Sequence, residues 1–100
     1  MGRMGQANYV AAKAGATGLM QSIAREYSSR GILANMVVPG VFKSPMTKSL
    51  DEQSLERLWD GAALQQFADL KETAEFIVHL AGMRGATGQI FQLDGRIAPV

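Results

Sequence analysis

The sequence has no cysteine and only one histidine among its 100 residues. Without cysteine, the chain can form neither a disulfide nor a thiolate metal site. A single histidine has no second histidine with which to share a metal ion, so no metal site is predicted. The sequence also lacks an apolar run long enough to cross a bilayer, and its first residues lack the apolar core of a secretion signal. We therefore expect a cytoplasmic protein with no membrane partner.

Neither sign of charge is in clear excess. Ten basic and nine acidic residues give a net charge of +1, and they are scattered along the chain. This distribution argues against a nucleic-acid surface. Hydrophobic residues make up 47% of the sequence, which is typical of a globular protein. At this length the chain is one domain or part of one.

The apolar pattern predicts an α/β fold with helices and strands in alternation. The predicted elements are a helix at 8–29, a buried strand at 32–38, an irregular segment at 41–69, a helix at 71–82 and a strand at 89–93. A helical crossover between the strands makes them parallel. Because two parallel strands form a marginal sheet, we expect the end of a larger α/β sheet with exposed apolar surface.

Several finer features follow from the same pattern. Asn8 is expected to cap the first helix, Arg30-Gly31 to end it, and Pro39-Gly40 to stop the first strand. The segment 41–50 is expected to be a loop, followed by short helices capped by Ser49 or Asp51. The apolar stripe of the first helix is Tyr9, Ala12, Ala16, Leu19, Met20, Ile23 and Tyr27. The inward residues of the last helix are expected to be Ala74, Ile77, Val78 and Ala81.

Tyr9 and Lys13 form the one constellation that suggests chemistry. Residues four apart on a helix share a face. An ammonium favours the phenolate and lowers the pKa of a nearby phenol, which suits general acid–base catalysis. By spacing alone, a half-buried tyrosine beside a solvated lysine is the more common arrangement, and the pair is a weak signal for catalysis.

A longer pattern surrounds this pair. Tyr9-x-x-x-Lys13-Ala-Gly precedes Gly-Leu, Ala-Arg-Glu, Arg-Gly-Ile, an Asn before the strand, and Pro39-Gly40. The weaker stretch TGQIFQLDG follows near the C-terminus. In this register the chain resembles the C-terminal half of the short-chain dehydrogenase/reductase family, most of all its bacterial 3-oxoacyl-[acyl-carrier-protein] reductases.

The resemblance implies the C-terminal portion of a Rossmann-like doubly wound parallel sheet. Residues 1–100 would form a single partial domain. Its active-site helix and strand would occupy 8–40, a substrate lid 41–70, and the last helix and strand 71–100. The lid residues Met46, Leu50, Leu55, Leu58 and Trp59 could line the substrate.

The resemblance also implies roles for individual residues. Tyr9 would give a proton to the substrate carbonyl oxygen, and Lys13 would lower the pKa of Tyr9 and hydrogen-bond the nicotinamide ribose. The backbone of Phe42 and the hydroxyl of Ser44 would hold the carboxamide. The implied cofactor is NADP or NAD, with NADP favoured. The positions implied to contact it are Tyr9, Lys13, Pro39, Gly40, Phe42 and Ser44.

The chain departs from the family pattern in several places. The family's Gly-rich phosphate-binding turn, catalytic Ser and helix Asn have no counterpart. Gly15-Ala16-Thr17-Gly18 cannot replace the turn, because it falls inside the predicted helix. Arg96 follows Asp94-Gly95 where the family often has a second glycine. We therefore expect a truncated reductase with little or no activity by itself.

Three functions stay open on the sequence. The first is an NAD(P)H-dependent reductase of 3-oxoacyl thioesters in fatty acid synthesis. It would act on a small-molecule or acyl-carrier-protein-linked carbonyl and form a homo-oligomer through the 8–29 helix. The second is a non-catalytic interaction module that retains this dimerisation helix. The third is a reductase for another ketone, such as a sugar or a steroid.

Overall fold

The computed structural model describes residues 3–97, with side chains from residue 7 onward, so residues 98–100 of the predicted last section lie outside it. Its elements are α1 (Arg3–Tyr27) with a 3-10 turn (Ser28–Arg30), β1 (Met36–Pro39), α2 (Pro45–Lys48), α3 (Glu52–Leu58), α4 (Leu70–Gly82) and β2 (Ile90–Leu93). The two strands pair in a two-stranded parallel sheet, which confirms the predicted α/β class. Among the helices described, none is both long enough and apolar enough to span a membrane.

The chain divides into two compact units. The first consists of Met1–Met36 and Arg84–Ile90, and the second of Val37–Met83 and Phe91–Val100. Each unit is described by itself below.

In the first unit, α1 buries a narrower face than the sequence predicts. Met20 and Ala24 are buried and Thr17 is half-buried, whereas Leu19 is 64% exposed. The predicted stripe is therefore wrong over its N-terminal half. Asn8 is not a cap either, because the helix already begins at Arg3. The end is as predicted: Gly31 closes the 3-10 turn in the left-handed conformation at φ 75°.

The first strand is shorter than predicted and begins at Met36 instead of residue 32. The preceding residues make other hydrogen bonds. The amide of Ile32 donates to the carbonyl of Tyr27, and that of Ala34 donates to the hydroxyl of Thr87. Residues 32–35 therefore connect α1 to the sheet without being part of it. Pro39, expected to stop the strand, is its last residue.

In the second unit, α4 turns a different face inward from the one predicted. Its buried residue is Thr73, and the ring of Phe76 lies 5.3 Å from that of Phe91 on β2. The predicted inward residues Ile77 and Val78 are exposed, the latter by 74%. The predicted start is one residue late, because Asp69 is the N-cap and its carboxylate accepts the amide of Glu72 at 3.1 Å.

The segment predicted to be a loop contains α2. Ser44 caps this helix and Pro45 occupies its first position, an arrangement that favours helix initiation. The next helix, α3, is capped by Asp51, one of the two residues expected to do so. The carboxylate of Asp51 accepts the amide of Ser54 at 2.8 Å.

Candidate active site

Tyr9 and Lys13 both lie within α1, one helical turn apart, so they share a face of the helix. Tyr9 is 55% exposed, and Lys13 is half-buried. The phenol is therefore accessible to a ligand. Gly15 and Gly18 also lie inside α1, where backbone amides are committed to the helix, so this part of the chain is not a phosphate-binding turn.

C-terminal to Lys13, residues Thr17 and Ala24 of α1 contact the rest of the first unit. The hydroxyl of Thr17 donates to the carbonyl of Lys13 at 2.9 Å and lies 3.9 Å from the sulfur of Met36. Further along, a Cβ on Gly88 would lie 3.6 Å from the Cβ of Ala24, an ordinary contact distance. These contacts fix the rotation of α1 about its axis, and hence the direction in which Tyr9 and Lys13 project.

A junction of residues 34–36 with residues 86–89, which we call the Asn35 junction, joins the chain before β1 to the chain before β2. The side-chain amide of Asn35 donates to the carbonyl of Ala86 at 2.9 Å, and its oxygen accepts the amide of Gln89 at 3.1 Å. Backbone bonds from Gly88 to Ala34 and from Met36 to Gln89 complete it. The sequence pattern includes this asparagine before the strand but gives no role for it.

In the second unit, Gly40 follows β1 in a site that has no room for a larger side chain. A Cβ there would lie 3.1 Å from both the Cβ of Ala68 and the carbonyl oxygen of Leu93. These distances are tighter than most packed contacts, so the glycine has a packing reason in addition to the role implied by the resemblance.

Ser44 is engaged by the backbone of its own helix. Its hydroxyl oxygen accepts the amide of Thr47 at 3.3 Å, while its amide donates to the Thr47 hydroxyl at 2.7 Å. This capping box orients the Ser44 side chain. Pro39 is exposed and Phe42 is half-buried. The predicted residues thus fall in two groups: Tyr9 and Lys13 in the first unit, and the 39–44 set in the second.

A cavity of about 380 Å³ lies at the carboxyl ends of the strand segments in the second unit. Of the predicted site residues, Gly40 lines it. Sequence reasoning assigned no site role to its charged lining residues, Asp69, Glu72, Asp94 and Arg96, which lie with Thr73 at this cavity. Arg96 could have been found, because it departs from the family pattern.

The donor set fits a nicotinamide nucleotide in its chemistry. A phenol and an ammonium can bind ribose hydroxyls, and a serine hydroxyl can bind a carboxamide. A metal-based site has no such support, since no three acidic or histidine side chains of residues 3–97 are placed to hold an ion.

The exposed Tyr9 and the Lys13 one turn later on α1 agree with the short-chain oxidoreductase pattern that the sequence resembles. Residues 1–95 match a family model described as enoyl-(acyl carrier protein) reductase. The chain belongs to the short-chain dehydrogenase/reductase family.

The relatives are similar enough to align nearly the whole chain. The 3-oxoacyl-[acyl-carrier-protein] reductases of Vibrio harveyi and Staphylococcus aureus are 38% and 40% identical over 97 residues, which is 95% of this chain and 40% and 39% of theirs. A crystal structure of 3-hydroxyacyl-CoA dehydrogenase type-2 from Mycobacterium avium is 33% identical, with a TM-score of 0.72. The match covers 92% of this chain and 37% of that one. The chain thus spans about two fifths of the length of these curated relatives.

Proposed function

We propose that the protein reduces a ketone with NADPH or NADH, and that Tyr9 is its proton donor and Lys13 its cofactor-binding lysine. The observation that carries this is the pairing of an exposed phenol with a half-buried ammonium on one face of α1 in a family of oxidoreductases. The non-catalytic module gains no such support, and the family membership disfavours it.

A nicotinamide cofactor, when bound, would supply the hydride that reduces the carbonyl carbon, and these two residues would manage the proton. The hydroxyl of Tyr9 gives its proton to the carbonyl oxygen, so that a secondary alcohol forms and a phenolate remains. The ammonium of Lys13 stabilises that phenolate, because opposite charges on adjacent turns attract. In the second unit, Ser44 and the backbone of Phe42 would hold the nicotinamide carboxamide beside Pro39 and Gly40.

We propose a 3-oxoacyl thioester as the substrate. The relatives are named for an acyl thioester that carries an oxo or hydroxy group at carbon 3, on an acyl carrier protein in one case and on CoA in the other. The family model's own description refers instead to an enoyl substrate. Reduction of a carbon–carbon double bond is therefore the alternative that the assay must exclude. NADP is favoured over NAD through the resemblance, and a cytoplasmic location stays a prediction.

Residues 41–70 are proposed to be the substrate lid. Met46 on α2 is 79% exposed, as an apolar residue that meets a ligand would be. Trp59 packs edge-on against Phe67, with 5.1 Å between ring centres, and the ammonium of Lys43 lies 5.8 Å from the Phe67 ring. Trp59, Phe67 and Lys43 thus pack against one another within this segment.

A chimeric enzyme tests the catalytic proposal whatever the chain's own boundaries. The 97 matched residues of the Staphylococcus aureus reductase are replaced by those of this chain. We expect NADPH-dependent reduction of acetoacetyl thioester and none of crotonyl thioester. Tyr9→Phe should lower kcat by about 100-fold or more, since a general acid is lost.

The matched control is Tyr27→Phe, which removes the other phenol of the same helix and should leave kcat unchanged. Lys13→Met should weaken NADPH binding, whereas Lys71→Met, on an exposed ion pair with Glu75, should not. A folded chimera that binds NADPH but turns over no ketone, or one equally active with Phe at position 9, would contradict the proposal.

We also propose that copies of the chain associate through α1. This helix exposes large apolar residues, Val10 and Leu19 among them, on different sides. Leu19→Lys should shift the chain toward monomer in analytical ultracentrifugation. Val78→Lys, on the exposed face of α4, is the control. If that change dissociates the assembly and Leu19→Lys does not, the interface lies on α4.

A further inference from the structure

We propose that Arg96 is a positioning residue that fastens one end of the lid to the chain after β2. The claim concerns residues 58–64, and it rests on the proposed function only in calling 41–70 a lid. Two nitrogens of one guanidinium reach two carbonyls at the C-terminal end of α3. Nη1 donates to Asp60 at 2.7 Å, and Nη2 donates to Leu58 at 3.3 Å.

These carbonyls are suited to a cation. Leu58 is the last residue of α3, and the last carbonyls of a helix lack partners within it and carry the negative end of the helix dipole. Asp60 lies in the turn just beyond the C-cap Trp59. A planar guanidinium can bind two acceptors at once, whereas an ammonium acts as a point charge. Arg96 thus caps α3 from 36 to 38 residues away in the sequence.

The turn that carries Arg96 is held to the same segment through its backbone. The carbonyl of Gly95 accepts the amides of Ala63 and Leu64, both at 2.9 Å. The amide of Arg96 donates to the carboxylate of Asp94 at 3.1 Å, which orients the turn. Gly61 leaves space for the guanidinium, because a Cβ there would lie 3.0 Å from Nη1.

Within the described part of the chain, residues 44–50 have no comparable fastening, although just before them the carbonyl of Val41 accepts the amide of Ala68 at 2.8 Å. The hydrogen bonds of residues 44–50 join members of that segment, as in the Ser44–Thr47 capping box and the bond from Ser49 to Met46. The lid is therefore fastened at 58–64 and freer over 44–50.

Hydrogen exchange on the chain itself tests this without cofactor or substrate. In Arg96→Gln, we expect the amides of residues 60–64 to exchange about tenfold faster, since charge-assisted bonds to two carbonyls are lost. Residues 44–50 and α4 should be unchanged. Trp59, the sole tryptophan, adjoins the fastened carbonyls, so its fluorescence should shift as well.

Two variants separate a fastening role from general destabilisation. Arg96→Lys keeps the charge and the aliphatic chain but loses the planar guanidinium that binds two carbonyls. Its exchange rates at residues 60–64 should fall between those of the wild type and Arg96→Gln. Arg84→Gln removes an exposed arginine of the first unit and should change nothing at 60–64. Unchanged exchange in Arg96→Gln, or equal acceleration throughout the second unit, would overturn the proposal. Because no turnover is measured, this outcome is independent of the chimera's activity.

Discussion

The Asn35 junction and the turn formed by residues 94–96, which we call the Gly95 turn, connect their chain segments by different means. At the junction, one side-chain amide bridges two backbone groups, Ala86 and Gln89. At the turn, the backbone itself approaches a neighbouring segment. A Cβ on Gly95 would lie 2.7 Å from the carbonyl oxygen of Leu64.

The difference determines how each region responds to substitution. Hydrogen bonds made by a side chain can be removed one at a time, so the junction should weaken in steps. A close backbone approach excludes every side chain, so the turn should tolerate glycine alone. The turn also holds Gly95 at φ 73°, in the left-handed region.

Gly95→Ala should have the largest effect on stability. The positive φ disfavours any residue with a Cβ by about 1–2 kcal/mol, and relieving the clash with Leu64 adds a cost of about 1–3 kcal/mol. We expect the free energy of unfolding to fall by about 3 kcal/mol, measured by urea denaturation.

Gly31→Ala separates the two costs. Gly31 has a similar φ of 75°, but nothing lies within 4 Å of its missing Cβ. It should lose only the conformational part, about 1 kcal/mol. Equal losses of unfolding free energy at Gly95 and Gly31 would show that the close approach of Leu64 to Gly95 contributes nothing to the cost.

Asn35→Ala should cause the next largest loss of stability. Two hydrogen bonds at a half-buried site are lost, each worth about 1 kcal/mol, so we expect a loss of about 2 kcal/mol. Asn35→Asp keeps the acceptor for Gln89 but places a carboxylate oxygen against the carbonyl of Ala86, so it should cost at least the one lost hydrogen bond, about 1 kcal/mol. Urea denaturation measures both, and exchange at the Gln89 amide localises them.

Asn8→Ala is the matched control, because Asn8 is exposed within α1, where alanine is the better helix former. Its stability should rise slightly or stay the same. If Asn35→Ala is no worse than Asn8→Ala, the junction does not depend on the side-chain amide.

The sequence predicted the helices and strands better than it predicted which face of each helix is buried. α4 contains apolar residues on more than one side, including Ile77 and Val78 as well as Phe76 and Leu80. The spacing of apolar residues identifies such a helix but cannot choose between its sides. In the described chain, Phe76 packs and Val78 is exposed. The same ambiguity misplaced the stripe of α1.

The local capping signals of the sequence predicted one helix start and missed another. Asp51 was expected as a cap and is one, whereas Ser44-Pro45 carries an equally clear helix start that was interpreted as a loop. The spacing of Tyr9 and Lys13 correctly placed them on one face. The contacts of Gly40, Gly95 and Arg96 join residues far apart in the sequence, so no local pattern could reveal them.

Substitution of Asp51 should have the smallest effect on stability. Asp51 differs from the two regions above because its side chain caps a helix at the surface. The hydrogen bonds from Ser54, together with the positive charge of Arg57, lower the pKa of Asp51 below its ordinary value. The cap therefore stabilises α3 above that ordinary value, about pH 4, and its contribution is lost as pH falls through the lowered pKa.

Asp51→Asn isolates this effect, because asparagine caps a helix about as well and does not titrate. Wild type should gain on the variant in urea denaturation as the pH rises through the lowered pKa of Asp51 toward about 4, and the difference between them should be constant above that value. The gain should be small, since the carboxylate is exposed and salt screens it. If the difference in stability does not vary between pH 2 and pH 7, the charge of Asp51 contributes nothing. The cap would then act through an uncharged hydrogen bond, as the amide of Asn35 does.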